Sequence, residues 1–290
     1  MHSKPYNTTQ GRTEVTEVAI IGGGIGGLTA ALCLINNGLT AHVYEQSPEF
    51  GDVGAGIQLG PNAVRILHRL DLADTLERRA VEPSAALVFR RWDDGTVLGV
   101  QGTADEYRSR YGAPYCVVHR AHLLEALLEK MPRELLHSDH RLTGVRLEDD
   151  SVVAEFDRQL PARADLMLGA DGVNSIVRQH IMGPVSSEFS GFGAYRGLVP
   201  ADALEDEAAR GAATVWVGPQ RHFVHYPVSG GQMNLVGLVE LPLDDPFRQR
   251  PATPSDFLDA FRGWHPDVLS AISALPHTTL WGLQRAPKLG

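Results

Sequence analysis

Cysteine and basic runs are scarce in this 290-residue chain. Its two cysteines, Cys33 and Cys116, argue against a disulfide framework and fit a reducing cytoplasm. The formal net charge is −9 and no run of Lys or Arg occurs, which argues against a surface that binds nucleic acid. Hydrophobic residues make up 43% and charged residues 21%, which is typical of a globular protein with ample core.

Charge is absent over the eighteen residues from Val18 to Ile35, a length that raises the question of a membrane span. The five glycines in the first half of this run favour a soluble structure instead. Residues 1–14 are polar and lack an apolar centre, so we expect a disordered leader rather than a signal peptide. The sequence therefore predicts a cytoplasmic protein with no membrane partner.

The same stretch predicts a strand, a turn, a helix and a second strand. Val18–Ile21 is a short apolar run typical of a buried strand, and Leu28–Ile35 has apolar residues at helical spacing. Ala41–Tyr44 is a second apolar run that ends at an acidic residue. This order is that of the unit that binds dinucleotides.

Three glycines in a G-x-G-x-x-G pattern have separate roles in such a unit. Gly22 permits a tight turn, Gly24 lets the backbone approach a pyrophosphate, and Gly27 lets the helix pack on the strand. Glu45 ends the second strand, where a carboxylate binds ribose hydroxyls and repels a 2′-phosphate, so FAD or NAD is predicted rather than NADP. The alternative is a purely steric glycine turn. The residues assigned to the cofactor here are Gly22, Gly24, Ile25, Gly27, Glu45 and Gln46.

Two later segments carry a family resemblance. With the first motif, GAGIQLGPNA (54–63) resembles the flavin-dependent aromatic hydroxylases, FAD monooxygenases of the para-hydroxybenzoate hydroxylase type. This resemblance implies backbone contacts to the flavin near Val53 and Gly54. YGAPYCVVHRAHLLEAL (111–127) is most similar to the 3-hydroxybenzoate 6-hydroxylase and salicylate hydroxylase branch, which implies that Arg120 contacts the FAD diphosphate region. A surface ion pair is the alternative for Arg120.

A second signature lies in GADGVNSIVR (169–178), which matches the family pattern D-G-x-x-S-x-V-R. The resemblance implies that the turn at Asp171-Gly172 reaches the cofactor. Arg178 is expected to orient Asp171 through a charge-assisted hydrogen bond. The alternative is an ordinary turn between a strand and a helix.

Three residues spaced three apart on one predicted helix could in principle hold a metal ion: His119, His122 and Glu125. No second pair of ligands is evident elsewhere in the sequence, and Arg120 lies among them. We therefore predict no metal site.

From Phe189 onward, alternating strands with Gly and Pro between them predict a second domain that faces the substrate. Arg196 could face a substrate carboxylate or a nicotinamide nucleotide, or pair with Glu188. In RHFVHYPV (221–228), a strand would place His222 and Tyr226 on one face, roughly 13 Å apart. The resemblance implies that His222 assists phenol deprotonation and Tyr226 lines the substrate pocket. The alternative is a histidine whose hydrogen bonds are satisfied within a sheet.

The predicted fold is α/β, with a Rossmann-like FAD-binding domain over residues 15–80 and 106–185. A mixed-sheet substrate domain would cover residues 81–105 and 186–290. The family's third signature, a strand that ends in G-D-A-A-H, is absent from the sequence. We therefore expect the chain to be a fragment or a truncated product of a longer hydroxylase.

The function that the resemblance implies is hydroxylation of a phenolic aromatic acid such as 3-hydroxybenzoate or salicylate. FAD would be the cofactor, NADH or NADPH the transient reductant and O₂ the oxygen source, while a homodimer is left open. One alternative is an NAD-dependent dehydrogenase, which shares the first motif but has no use for Asp171-Gly172. The other is a non-enzymatic fragment that binds flavin or an aromatic acid weakly.

Overall fold

The computed structural model describes residues 16–51, 56–85, 87–183, 187–204 and 210–285, so the predicted leader lies outside the described residues. The chain divides into two compact units, the first formed by 1–50 and 130–184 and the second by 51–129 and 185–290. Residues 51–80 and 106–129 thus belong to the second compact unit, although the sequence groups them with FAD binding. That functional division stays a prediction. Within the described ranges, no helix is long and apolar enough to cross a membrane.

The helices and strands follow the sequence patterns closely. In chain order they are β1 (Glu17–Ile21), α1 (Ile25–Ile35), β2 (Thr40–Tyr44), β3 (Gly56–Leu59), α2 (Pro61–Arg69), α3 (Ala73–Arg79), β4 (Ala80–Val81), β5 (Leu87–Arg91), β6 (Val97–Gln101), α4 (Ala104–Tyr111), β7 (Cys116–His119), α5 (Arg120–Lys130), β8 (Leu136–His137), β9 (Leu142–Glu148), β10 (Ser151–Phe156), β11 (Ala162–Ala164), β12 (Leu166–Gly169), α6 (Ile176–Met182), β13 (Glu188–Pro200), β14 (Thr214–Gly218), β15 (Arg221–Val228), β16 (Gln232–Glu240), β17 (Gln249–Ala252), α7 (Pro254–Ala260), α8 (Pro266–Ser273) and β18 (Thr278–Arg285).

The first unit is built on a parallel sheet with strand order β12-β1-β2-β8. The apolar run predicted as a buried strand becomes β1, whose residues Val18 to Ile21 are at most 3% exposed. Because the strands are parallel, their carboxyl ends meet at one edge, where α/β sheets bind ligands. The hairpin of β9 and β10 pairs with β11 in a separate antiparallel sheet.

The composition of residues 164–169 is typical of one buried strand, but the chain is broken there into β11 and β12 at Asp165. The Asp165 carboxylate accepts hydrogen bonds from the backbone amides of Thr16 and Glu17, at 2.8 and 2.9 Å. This contact joins the start of β1 to the turn before β12. Sequence patterning misses the break because its cause is a partner far away in the chain.

The second unit contains an eight-stranded mixed sheet with order β17-β18-β13-β16-β15-β14-β5-β6. Large buried side chains cover one face together with α7 and α8, among them Trp216, Phe223, Phe257 and Phe261. On the opposite face, Tyr115 and Val117 from around β7 pack against β15. The predicted α/β fold with a Rossmann-like sheet and a second, mixed sheet is confirmed.

Two segments of the second unit differ in how well their patterns predict them. Residues 258–275 have an amphipathic helical pattern interrupted by Pro266, and the chain does break there: Pro266 begins α8, and the His265 side chain accepts a hydrogen bond from the Asp267 amide at its start. The glycine-rich segment between Glu45 and Pro61 is typical of a loop, but it contains β3, which pairs with β7. A four-residue edge strand such as β3 gives little periodic signal.

Histidine and tyrosine side chains of β2 and β8 form a stack of rings in the first unit. The His42 and His137 rings share a 2.9 Å contact between Nδ1 and Nε2, and the Tyr44 ring stacks on His137 at 4.7 Å between centroids. His42 also faces Glu17 at 3.3 Å. Burial, followed by the neighbouring His42 and His140, lowers the pKa of His137.

We expect acid to destabilise the first unit through His137. Since its pKa is lower in the folded protein, the unfolded chain binds more protons once the pH falls below about 6.5, and stability falls as pH drops from there toward the lowered pKa of His137. His137→Asn should flatten this dependence in urea unfolding measured across the pH range. His180→Asn, at an exposed position of α6, is the matched control. An equally steep acid loss in both variants would contradict the assignment.

Candidate functional site

Steric contacts within the protein explain two of the glycines at the turn after β1. Gly22 has φ +110°, and a Cβ there would lie 2.3 Å from the Ala170 carbonyl oxygen. A Cβ at Gly27 would lie 1.9 Å from the Gly22 carbonyl oxygen. Both positions therefore need glycine whether or not a ligand is bound.

No steric contact among the described residues requires a glycine at position 24. Its backbone is extended, with φ −76° and ψ 179°, a conformation that any residue adopts. A Cβ there would meet nothing within 4 Å, so the space beside it is open. Gly24 precedes α1, and the first amides of a helix have no acceptor within the helix. An open backbone beside free N–H groups fits a pyrophosphate.

Glu45 is held at the same edge of the sheet. Its carboxylate accepts hydrogen bonds from the Gly23 amide at 2.8 Å and the Ser47 amide at 2.9 Å. A carboxylate has about four lone-pair positions, so two remain for ribose hydroxyls. Gln46 follows as an exposed residue, and Ile25 is the first residue of α1.

Asp171 joins this edge from β12, which neighbours β1. A Cβ at Gly22 would lie 3.0 Å from the Asp171 amide nitrogen, so the two turns are in contact. Oδ2 of Asp171 accepts hydrogen bonds from the amides of Ile176 and Val177, at 2.7 and 3.2 Å. Oδ1 is buried without a partner in the described part of the chain, which fits an acceptor for a ligand donor.

The expected hydrogen bond between Arg178 and Asp171 is wrong. The Arg178 guanidinium donates instead to the Val173 carbonyl oxygen at 2.6 Å, within the turn that precedes α6. The backbone amides of Ile176 and Val177 hold the carboxylate in its place. An arginine seven residues after an aspartate gives no indication from sequence of which acceptor it reaches.

The other predicted cofactor residues fall in the second unit. Arg120 is the first residue of α5, while Val53 and Gly54 lie outside the described residues. The metal alternative gains no support: the His119 and His122 rings are 5.1 Å apart, and Glu125 pairs with Arg79 at 3.2 Å. In the described ranges no group of three or more metal-ligand residues occurs.

β15 separates the two faces of the eight-stranded sheet as its alternation predicts. Phe223 and His225, 0% and 2% exposed, lie on the face covered by α7 and α8. His222 and Tyr226 lie on the opposite face. The Tyr226 hydroxyl donates to the Gly56 carbonyl at 2.8 Å, and burial raises the pKa of Tyr226 to about 12.

The His222 ring is only partly covered by protein, and burial lowers its pKa. Among the described residues the imidazole has no hydrogen-bond partner, so the alternative of a histidine satisfied within the sheet does not describe it. A neutral imidazole with free nitrogens is able to accept a proton. The structure therefore leaves His222 available for a ligand on this face.

Asn234 is a residue that the sequence analysis missed. It lies on β16 directly opposite Tyr226 and is 0% exposed. The side-chain amide is near enough to the Tyr226 hydroxyl to offset part of the rise in pKa that burial causes there, although the amide itself has no hydrogen-bond partner among the described residues. A polar residue inside the apolar run of β16 was the available signal.

A parallel sheet with a glycine turn, free helix amides and two carboxylates at its carboxyl edge defines a dinucleotide-binding protein. The chain belongs to the FAD binding domain family, whose model matches residues 15–257. The predicted family and the FAD cofactor are thereby confirmed.

Comparison with known proteins specifies the chemistry of the class. The chain is 38% identical over 268 residues to 3-amino-4-hydroxybenzoate 2-monooxygenase PtmB3 of Streptomyces platensis, covering 92% of this chain and 67% of that protein. It is 39% identical over 226 residues to 3-hydroxybenzoate 6-hydroxylase of Polaromonas naphthalenivorans, covering 76% and 55%. This family membership and these relatives confirm the predicted FAD-dependent aromatic monooxygenase.

A solved structure shows the same fold with its cofactor in place. Klebsiella pneumoniae HpxO complexed with FAD and uric acid matches with a TM-score of 0.81 and 28% identity, covering 93% of this chain and 68% of that chain. The chain thus spans about two thirds of this structure and of the Streptomyces relative.

We expect Gly24→Ala to weaken FAD binding without loss of fold. A methyl group there meets no protein atom within 4 Å but occupies the space through which a pyrophosphate would reach the backbone. FAD affinity should fall by about tenfold or more, which corresponds to about 1.4 kcal/mol. Flavin fluorescence quenching measures the affinity and thermal unfolding of the FAD-free protein measures stability. Unchanged affinity would show that no ligand lies against Gly24.

Proposed function

We propose that the chain hydroxylates a phenolic aromatic acid of the 3-hydroxybenzoate or salicylate type, with NADH or NADPH as reductant and O₂ as oxygen source. The observation that carries this proposal is His222, a partly covered imidazole with no hydrogen-bond partner among the described residues and a lowered pKa. Val224 lies two residues along β15 and Val236 lies opposite Val224 on β16, so both are on the same face as His222, and both are partly accessible. A flat apolar ring fits such a floor.

His222 would act as the general base. Because its pKa is lowered, the imidazole is neutral at pH 7 and can take the proton of a substrate hydroxyl. A phenolate is richer in ring electrons than a phenol and is hydroxylated more readily. Tyr226 cannot share this role near neutral pH, since burial raises its pKa to about 12 and its hydroxyl already donates to Gly56. It would line the pocket.

The cofactor would be held by backbone atoms of the glycine turn and by the carboxylates of Glu45 and Asp171. In the first unit these residues are Gly22, Gly24, Ile25, Gly27, Glu45, Gln46 and Asp171. The family resemblance adds Val53 and Arg120 to the proposed cofactor residues, with Arg120 contacting the diphosphate region. When bound, FAD supplies the two-electron chemistry with O₂ that no amino-acid side chain provides. The protein's part is to bind and orient the ring, exclude water and take the phenol proton.

Two named substrates support the choice of an aromatic acid. The Streptomyces relative acts on 3-amino-4-hydroxybenzoate and the Polaromonas relative on 3-hydroxybenzoate, and each compound is a phenol with a ring carboxylate. We also propose a cytoplasmic location, because Cys33 and Cys116 are both free thiols, as expected in a reducing compartment. The contacts described above neither require nor exclude a homodimer.

The test is NADH or NADPH oxidation by the FAD-supplemented protein with 3-hydroxybenzoate and salicylate, with the product identified by mass. Oxidation that depends on the aromatic acid and yields a product gaining one oxygen atom supports the proposal. Bound flavin with neither oxidation nor product supports the second candidate, a fragment that binds without catalysis. The chain spans 67% of the length of its Streptomyces relative.

A further inference from the structure

Arg196 is a cation on the same sheet face as His222 and Tyr226. It lies on β13, directly opposite Val236 of β16, which in turn lies opposite Val224 of β15. Side chains that face each other across neighbouring strands point to the same side of the sheet. Arg196 is exposed, and it lies close enough to Tyr226 to offset part of the rise in pKa that burial causes at that hydroxyl.

No acid neutralises Arg196 in the described part of the chain. Glu188, which the sequence offered as a partner on the same strand, is instead paired with Arg285 at 2.6 Å. The ion-pair alternative for Arg196 is therefore not what the structure shows. A guanidinium beside an apolar surface, paired with no carboxylate of the described residues, is suited to a carboxylate from outside.

The spacing across the sheet fits one aromatic acid. Arg196 lies two strands from Val224, and His222 and Tyr226 each lie two residues along β15 from Val224. With about 4.8 Å between strands and 3.4 Å per residue, the Arg196 and His222 backbones are about 12 Å apart. A ring lying between the two residues would place its hydroxyl toward His222 and its carboxylate toward Arg196. Val224 and Val236 form the surface beneath it.

We propose that Arg196 binds the substrate carboxylate and thereby selects aromatic acids over neutral phenols. The inference deepens the proposed function, since it assumes that the substrate lies on this sheet face. It goes further by assigning the charge preference to one residue. It also excludes the nicotinamide nucleotide as the main ligand of Arg196.

The experiment compares 3-hydroxybenzoate with 3-hydroxybenzamide, which keeps the ring and hydroxyl but lacks the charge. Binding to the FAD-loaded protein is measured by titration calorimetry. The unsubstituted protein should prefer the acid. Arg196→Gln should weaken binding of the acid by about tenfold or more, as expected for a lost charge-assisted hydrogen bond, and leave the amide unchanged.

Matched variants separate this role from a loss of overall charge. Arg262→Gln removes the same charge from an exposed arginine that pairs with Asp259, and it should bind the acid normally. Arg196→Lys keeps the charge without the planar fork and should give an intermediate affinity for the acid. If Arg196→Gln does not fold, the lysine variant and the effect of salt on the preference for the acid in the unsubstituted protein still test the proposal.

Three results would overturn the assignment. Equal affinity of the acid for Arg196→Gln and the unsubstituted protein would remove Arg196 from carboxylate binding. A weaker affinity for NADH with an unchanged affinity for the acid would assign Arg196 to the reductant. If the unsubstituted protein binds neither aromatic compound, the proposed function itself fails, and the role of Arg196 fails with it.

Discussion

Gly27→Ala is expected to destabilise the protein by about 3 kcal/mol and to abolish FAD binding. The added Cβ would lie 1.9 Å from the Gly22 carbonyl oxygen, which is a backbone atom of the turn itself. Neither side of this contact can rotate away, so α1 must move from β1 or the turn must open. Either movement disturbs the amides at the start of α1, where the pyrophosphate would bind.

The neighbouring glycine supplies the control. Gly26 belongs to the same turn of α1, and a Cβ there meets nothing within 4 Å. Gly26→Ala should leave the fold intact and raise helix stability by up to about 1 kcal/mol. Urea unfolding of the FAD-free proteins measures both variants. Similar unfolding midpoints for Gly26→Ala and Gly27→Ala would show that contact with Gly22 does not decide the role of Gly27.

His222→Asn should slow hydroxylation by about 10² to 10⁴-fold while FAD remains bound. Asparagine keeps a polar side chain of similar size but cannot take a proton from a phenol. The nearest histidine along β15 is unsuitable as a control because His225 is 2% exposed on the core face. His277→Asn is the control, because it makes the same substitution at an exposed position before β18, away from the sheet face.

The pH dependence gives a second readout for His222. Because burial lowers its pKa, the neutral base should persist below pH 6.5 and the rate should fall only as pH drops through the lowered value. In His222→Asn this acid limb should disappear from the rate profile at saturating substrate. An acid limb of unchanged position in the variant would assign the titration to another group.

The first unit was largely predictable because its signals are local. The apolar run of β1, the glycines after it and the acidic end of β2 lie within thirty residues and give the strand, turn, helix and strand directly. The exact span of β15 was also predictable from its alternation, and so was the opposite orientation of His222 and Phe223.

What the sequence did not reveal depends on partners far apart in the chain. The acceptor of the Tyr226 hydroxyl is Gly56, 170 residues away, and the partner of Glu188 is Arg285. Arg178 binds the Val173 carbonyl rather than Asp171, a choice between two nearby acceptors that spacing does not decide. Residue type indicates that a group needs a partner, and only the fold determines which one it has.

The contact between Asp165 and the amides at the start of β1 has a consequence for biosynthesis. Glu17 and Asp165 are 148 residues apart, so β1 leaves the ribosome long before its neighbour β12. At about 5–20 residues per second, the delay is roughly 7 to 30 s. Throughout that interval the nascent chain exposes an apolar strand edge that chaperones are suited to protect.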